Sequence, residues 1–206
     1  ILISNLTNFL IIMNKWNRIH NLTSISDLKK LVDVHLLDAL FGLAFLKKKV
    51  NSLNLKLNSI ADVGSGNGVP GLIWALIDQK LKICLIEKAK KKSAFLNHTI
   101  GVFNLQNRVF VFNCDVRSVF DLQVDVVVSR AFSNYHFFLE ATTNISKFCK
   151  LWMVMTSRDK TTPISNLNFG NNKFKLLCNE GYEKNYEKSN KKILMFTMND
   201  NLKTND

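Results

Sequence analysis

The stretch Asp62-Val63-Gly64-Ser65-Gly66-Asn67-Gly68-Val69-Pro70-Gly71 holds the residues best spaced for chemistry. An apolar run, Ile60 to Val63, enters a turn of four glycines, and Leu72-Ile73-Trp74-Ala75-Leu76-Ile77 follows as a helix-like run. Glycine brings backbone N–H groups close to a ligand with no Cβ in the way. Pro70 suits a helix start, where its missing N–H is not needed. Strand, glycine turn and helix N-terminus together make a pocket for a nucleotide-like cofactor. Glu87 ends the next apolar run, where such pockets hold a ribose by its two hydroxyls, so an acid is needed there rather than an amide.

The spacing fits two cofactors. Gly66-x-Gly68-x-x-Gly71 satisfies the dinucleotide fingerprint, and Asp62-x-Gly64-x-Gly66-x-Gly68 satisfies the S-adenosylmethionine pattern equally well. Asp62 favours the sulfonium cofactor, because a carboxylate repels a pyrophosphate and attracts an ammonium. Lys88, Lys90, Lys91 and Lys92 could neutralise a 2′-phosphate, which keeps an NADP-dependent oxidoreductase open as an alternative.

The elements around the turn read as an α/β fold. Ser59–Val63, Leu81–Ile86, Arg108–Phe112, Val124–Ser129 and Leu151–Thr156 are short apolar runs of the kind buried on both faces of a parallel sheet. Helix-compatible stretches at Gly71–Asp78, Lys90–Phe103 and Phe132–Lys147 alternate with them. Phe174–Cys178 and Ile193–Met198 form an antiparallel hairpin around a charged, flexible loop, Asn179–Lys192. Residues 1–50 read as a helical cap, with Leu6, Phe9, Leu10, Met13 and Trp16 on one apolar stripe. Asp27 caps a second helix that carries Leu28, Leu31, Val32, His35 and Leu36, and Lys47–Lys49 falls at a solvated helix end. The expectation is a cap over 1–50 and one cofactor-binding domain over 51–206, built on a mostly parallel seven-stranded sheet.

With 28 Lys+Arg against 16 Asp+Glu, the net charge of +12 argues for a polyanionic partner. Cys84, Cys114, Cys149 and Cys178 form no C-x-x-C pair, so neither a zinc site nor a redox pair is expected, and no metal at all. Reduced thiols suit the cytoplasm. The apolar N-terminus lacks a basic region and cleavage site and reads as an amphipathic helix rather than a signal peptide. No run is long and apolar enough for a membrane span, and no membrane partner is expected.

Four segments in order carry a resemblance: Asn17…His20-Asn21-Leu22-Thr23, then Val34-His35-Leu36-Leu37-Asp38-Ala39-Leu40, then the glycine turn, then Ser129-Arg130-Ala131-Phe132. Over about residues 15–160 the chain resembles the bacterial 16S ribosomal RNA guanine-N7 methyltransferases, also called glucose-inhibited division protein B. The resemblance implies a Rossmann-like class I methyltransferase fold and S-adenosyl-L-methionine as cofactor. It places cofactor contacts on Gly64 to Val69, on the loop Asp115-Val116-Arg117-Ser118, and on Arg130. The chain departs from the family at Val116 and Ser118, where an arginine and an acid are usual. It departs again in Met155-Thr156-Ser157-Arg158-Asp159-Lys160, where a lysine is usual directly after the fifth strand.

The chemistry agrees with a ring-nitrogen target. Guanine N7 has an in-plane lone pair and no proton, so the enzyme needs orientation rather than a general base. No Asp/Asn-Pro-Pro-aromatic motif follows the fourth strand, as amine methylation would lead one to expect, and no cysteine adjoins a proline. The expected cofactor residues are Asp62, Gly64, Gly66, Gly68, Val69, Glu87, Asp115, Arg117, Ser118 and Arg130. Arg130 is the catalytic candidate, binding the cofactor carboxylate or an RNA phosphate; its structural alternative is an ion pair with Glu87 or Asp125. His20, Asn21, Phe132, Arg158 and Lys160 are the substrate candidates, with Phe132 stacking on the base or merely filling core. His35 and Asp38 read as a pair fixing the cap to the sheet, and Trp16 as core. The expected partner is 16S ribosomal RNA or the small ribosomal subunit, met by a monomer. A degenerate RNA-binding relative without turnover is the non-enzymatic alternative.

Overall fold

The apolar runs become strands in the order expected: Ser59–Val63 (β1), Lys82–Ile86 (β2), Val109–Phe112 (β3), Val126–Arg130 (β4) and Leu151–Thr156 (β5). The computed structural model describes residues 1–130, 134–145, 147–157, 165–184 and 187–198. The strands pair in parallel as β3-β2-β1-β4-β5, so strand order reverses between β1 and β4. A ligand crevice opens at such a reversal, outside the carboxyl ends of the strands.

The tail extends this sheet. Asn166–Phe169 (β6), Asn172–Lys184 (β7) and Glu187–Met198 (β8) add antiparallel strands in the order β5-β8-β7-β6. Among the described residues the sheet therefore has eight strands rather than the seven expected. Asn-Leu-Asn-Phe offers too few apolar residues to read as a strand alone, and pairing with β7 supplies its order. Most of Asn179–Lys192, read as a loop, is strand: Glu180 pairs with Ile193 and Tyr182 with Lys191. Its polar side chains hid it, because a strand in a two-stranded arm need not bury both faces.

Helices cover both faces. Leu2–His20 (α1), Leu37–Ser52 (α3), Gly71–Ile77 (α4) and Lys90–Val102 (α5) pack on one face, and Tyr135–Ala141 (α6) on the other. β4 shows the division: Val126 and Val128 join the core under α4 and α5, while Val127 joins the core under α6. Each such fully buried side chain contributes roughly 1.5–3 kcal/mol over leaving it in water. α6 is shorter than the expected Phe132–Lys147. Asn134 caps it through Phe137 N at 2.7 Å. At its other end the Thr142 hydroxyl turns back to Phe138 O and accepts from Trp152 Nε1.

The cap is not a plain helical pair. Asp27 accepts from Lys29 N and Lys30 N, as expected, and starts Leu28–Leu31 (α2). A single π-helical turn, Val32–Leu36, then runs straight into α3. Lys47–Lys49 lies within α3, where Lys47 bridges to Asp78 at 2.6 Å. Trp74, buried on α4, donates from Nε1 to Ala39 O on α3 at 2.7 Å, so cap and sheet layer share a buried hydrogen bond. Trp74→Phe removes that donor and part of the indole volume. Urea denaturation should show a loss of about 1–3 kcal/mol with an unchanged m-value.

Candidate cofactor-binding site

A cleft of about 370 Å³ lies over the carboxyl ends of β1, β2 and β4 and the loop after β3, a size common for small-molecule sites. Its floor is Val63, Gly64, Ile86 and Glu87; one wall is Cys114 to Arg117, and Arg130 and Phe137 close the far side.

Glu87 is buried, and each of its oxygens takes a backbone N–H. Oε2 accepts from Gly66 N at 2.9 Å and Oε1 from Ala89 N at 2.8 Å. A carboxylate oxygen has two lone-pair directions, so each can still accept a hydroxyl. The strand end is held from behind by Asn113, whose amide donates to Glu87 O, Lys88 O and Ser93 Oγ.

Asp62 lies beneath the turn, fully buried, and is not a wall of the cleft. Its Oδ2 accepts from Gly71 N at 3.0 Å, while Oδ1 has no hydrogen-bond partner among the described residues. Burial is the main influence on this carboxyl and pushes its pKa up to about 7; Gly71 N–H and Arg130 pull it back, and Glu87 adds to the rise. Gly66, Gly68 and the buried Val69 shape the turn from behind rather than line the cleft. Gly68 has φ +79° and packs against Leu72, so a Cβ there would meet Leu72 Cδ1 at 2.5 Å.

The loop after β3 is closed by Asp115. Its Oδ1 accepts from Arg117 N at 3.0 Å, and the carboxylate takes Arg117 Nε and Nη2 bidentately at 2.9 Å each. Ser118 Oγ donates to Asp115 O at 2.7 Å and stays off the cleft wall. The Arg117 guanidinium holds the Asp115 carboxyl well below the usual range.

Arg130 pairs with neither Glu87 nor Asp125. Its Nη2 donates to Val34 O at 2.8 Å in the π turn and lies 3.4 Å from Asp38 Oδ2 at the start of α3. Asp125 is instead used by Asn58 N, Ser59 N and Ser59 Oγ. Burial lowers the Arg130 pKa and the facing Asp38 raises it again; an arginine stays charged throughout. Asp38 also accepts from Tyr182 Oη at 3.2 Å and meets Lys191 Nζ, so cap, sheet and hairpin converge on one buried carboxylate.

The cap reaches the turn through His35. Its Nε2 lies 3.3 Å from Thr23 Oγ1 and 3.2 Å from Asn67 Nδ2. Thr23 N in turn donates to Asn17 Oδ1 at 2.8 Å, and Asn17 Nδ2 donates to Ile25 O. Asn21, with φ 50°, ends α1 as a left-handed cap, and His20 lies against Trp16 rather than in the cleft lining. Trp16 is half-buried and packs against the edge of the core. Phe132, Arg158 and Lys160 lie outside the described residues. Among the described residues no cluster of potential metal ligands occurs, and no helix is long and apolar enough to cross a membrane.

The sequence profile of rRNA small subunit methyltransferase G matches residues 2–191. The chain belongs to this family. It is 33% identical over 157 residues to the ribosomal RNA small subunit methyltransferase G of Dichelobacter nodosus, covering 76% of this chain and 71% of that one. Against the protein of the same name from Legionella pneumophila strain Corby it is 33% identical over 163 residues, covering 77% and 72%. Among solved structures it is similar to a mutant of MtNAS in complex with S-adenosylmethionine, with TM-score 0.59, 12% identity, and 95% and 74% of the two chains covered. A putative transferase from Pyrococcus horikoshii gives TM-score 0.52 at 16% identity, over 74% and 62%. At these identities the structures speak for the fold.

Sequence reasoning missed Asn67, Asn113, Phe137 and Tyr182 as parts of this neighbourhood. Asn67 sat inside the motif and was passed over between its glycines; the others carry no local signal.

Two outcomes test the turn. Gly68→Ala forces a left-handed backbone and a collision with Leu72, so chemical denaturation should show a loss of about 1–3 kcal/mol. Asp62 is more protonated in the folded chain than in the unfolded one from about pH 4, near its ordinary value, up to about 7. Its contribution to stability is thus complete below that window and lost as pH rises through it. The slope is negative and at most about 1.4 kcal/mol per pH unit. Urea melts across this range should show that Asp62→Asn removes this slope.

Proposed function

We propose that this protein transfers the methyl group of S-adenosyl-L-methionine to N7 of a guanine in 16S ribosomal RNA, naked or within the small subunit. One observation carries the reading: in a chain of this family, a doubly held carboxylate, Glu87, and the Arg130 guanidinium face one cleft at the β1/β4 reversal.

The residues fit the cofactor. Glu87 would receive the ribose hydroxyls, and Val63, Ile86 and Val116 offer apolar surface for the base. Arg130 would hold the carboxylate end, since its hydrogen bonds among the described residues leave from Nη2. The unpartnered Asp62 oxygen under the turn favours a cation-bearing ligand. A pyrophosphate, which the nicotinamide alternative requires, would push this carboxyl still further toward protonation, whereas a cation favours its ionised form.

When bound, the cofactor supplies an electrophilic methyl on sulfur. Guanine N7 already carries the attacking lone pair, so no side chain has to remove a proton beforehand. What the chain must supply is alignment and exclusion of water. Arg130, tied to Val34 and Asp38, is a fixed point at the β4 end of the cleft. The base must arrive unstacked, from a loop or an immature particle. We read the protein as a monomer working in the cytoplasm.

The test is transfer of tritiated methyl from S-adenosylmethionine to small subunits from cells lacking the gene. Reduction and mild-base scission at 7-methylguanine then locate the product. Label at one guanine is expected, and Arg130→Ala should lower kcat/KM at least about tenfold, the loss of a charged hydrogen bond. Cofactor binding without transfer would favour the degenerate RNA-binding alternative. Binding of a nicotinamide dinucleotide in place of the methyl donor would end the proposal.

A further inference from the structure

α1 and α5 run antiparallel: Asn5 shares a small polar depression with Phe103 and Leu105 beyond the end of α5, whereas Trp16, about one turn from the end of α1, meets Phe95 and His98. The last turn of α1 therefore lies at the end where α5 starts. That is also the end from which Lys88 and Lys92 enter the cleft wall.

On this surface three rings are gathered. Trp16 lies 5.0 Å from the His20 ring and 5.3 Å from the His98 ring, with Phe95 edge-on beneath it at 5.7 Å. Trp16 and His20 are half-buried and His98 is exposed. Lys91, Ala94 and His98 form one exposed row along α5, at helical spacings of three and four, and Ala94 leaves the row flat between the lysine and the imidazole. Ile19, 75% exposed, borders the rings on α1. A helix–helix weld alone would account for Phe95 and for the inner edge of Trp16. It does not account for a half-open indole flanked by two imidazoles near Lys91, whose neighbours Lys88 and Lys92 line the cleft.

We propose that Trp16, His20 and His98 form a stacking platform for an unpaired base of the RNA, next to the nucleotide presented to the cleft, with Lys91 on its phosphate. The proposal rests on the RNA-methyltransferase reading. Base–aromatic stacking tolerates any sequence, because every base has a π-face, and adjoining lysines supply the backbone attraction. The chain's net charge of +12 favours a polyanionic partner over the molecule as a whole.

The chain contains its own reporter. Of its three tryptophans, Trp74 and Trp152 are fully buried, so acrylamide quenching of native fluorescence reads Trp16. Adding a short oligoadenylate to the full chain should shield Trp16 from acrylamide. His98→Ala should weaken oligoadenylate binding about tenfold, leave S-adenosylmethionine affinity unchanged, and be rescued by His98→Phe, which restores a ring without the imidazole. If bound oligoadenylate leaves Trp16 quenching unaltered, or if His98→Ala binds and is turned over as the unmodified chain is, the platform is overturned while the methyltransferase reading stands. If oligoadenylate shields Trp16 and His98→Ala weakens it, yet no methyl reaches 16S ribosomal RNA, the platform stands and the catalytic reading falls.

Discussion

The Glu87 carboxylate ties two backbone segments that would otherwise have no reason to meet. Gly66 N–H from the turn after β1 and Ala89 N–H from the end of the β2–α5 connection both point into it. Buried N–H groups in a tight turn need acceptors, and a buried carboxylate needs donors. Here each need is met by the other, and the cleft floor takes its shape from that exchange. Asp62 does the same from below by accepting from Gly71 N, at the first turn of α4. The glycine turn is therefore held by two carboxyl groups, one from the end of β2 and one from within β1.

A second convergence lies at Asp38. One buried carboxylate receives Arg130 from β4, Tyr182 from β7 and Lys191 from β8, and Phe41 stacks on the Tyr182 ring at 4.2 Å. Tyr182 and Lys191 are cross-strand partners, so the hairpin delivers them to Asp38 as a unit. Removing any one partner would leave the buried carboxylate less compensated, which is costlier than losing a surface pair. The hairpin, far from the glycine turn in sequence, thus bears on the rotamer of the arginine that faces the cleft. His35, three residues before Asp38 and inside the π turn, carries the cap's other connection, to Asn67.

The parallel half of the sheet was legible because a strand buried on both faces is mostly apolar, and β1, β2, β4 and β5 each carry such a run, with their few polar residues at the ends or, like Asp62, at the site. The antiparallel half was only partly legible. Its arms carry lysines, asparagines and glutamates that solvent tolerates, so the pattern of Asn179–Lys192 resembles a loop until the partner strand is present. The π turn was hidden for a different reason: Asp27 and the stripe from Leu28 to Leu36 suit an ordinary helix, and one widened turn changes its phase without changing its composition. At the site, Glu87 was legible from its distance to the glycines. Arg130's partner was not, since 92 residues separate it from Asp38 and no local pattern spans that gap. The expected His35–Asp38 partnership had the right residues. The structure sends His35 toward Thr23 and Asn67, and Asp38 toward Arg130 and the hairpin.

The departures from the family at Val116 and Ser118 look different once the loop after β3 is laid out. Its shape depends on Asp115, which caps the 3-10 turn Val116–Ser118 through Arg117 N and grips the Arg117 side chain with both oxygens. Ser118 reinforces the same turn by donating to Asp115 O, a contact for which a hydroxyl suffices. Val116 lines the cleft and presents apolar surface to it. A flat heteroaromatic base gains from such a wall by excluded water and dispersion, neither of which needs a charge. If the family's usual arginine and acid are absent here, as the resemblance implies, what goes with them is side-chain hydrogen bonding and not the wall itself. On the reading proposed above, what is left to recognise the cofactor is the Asp115-braced backbone and Glu87, both built from residues present in this chain.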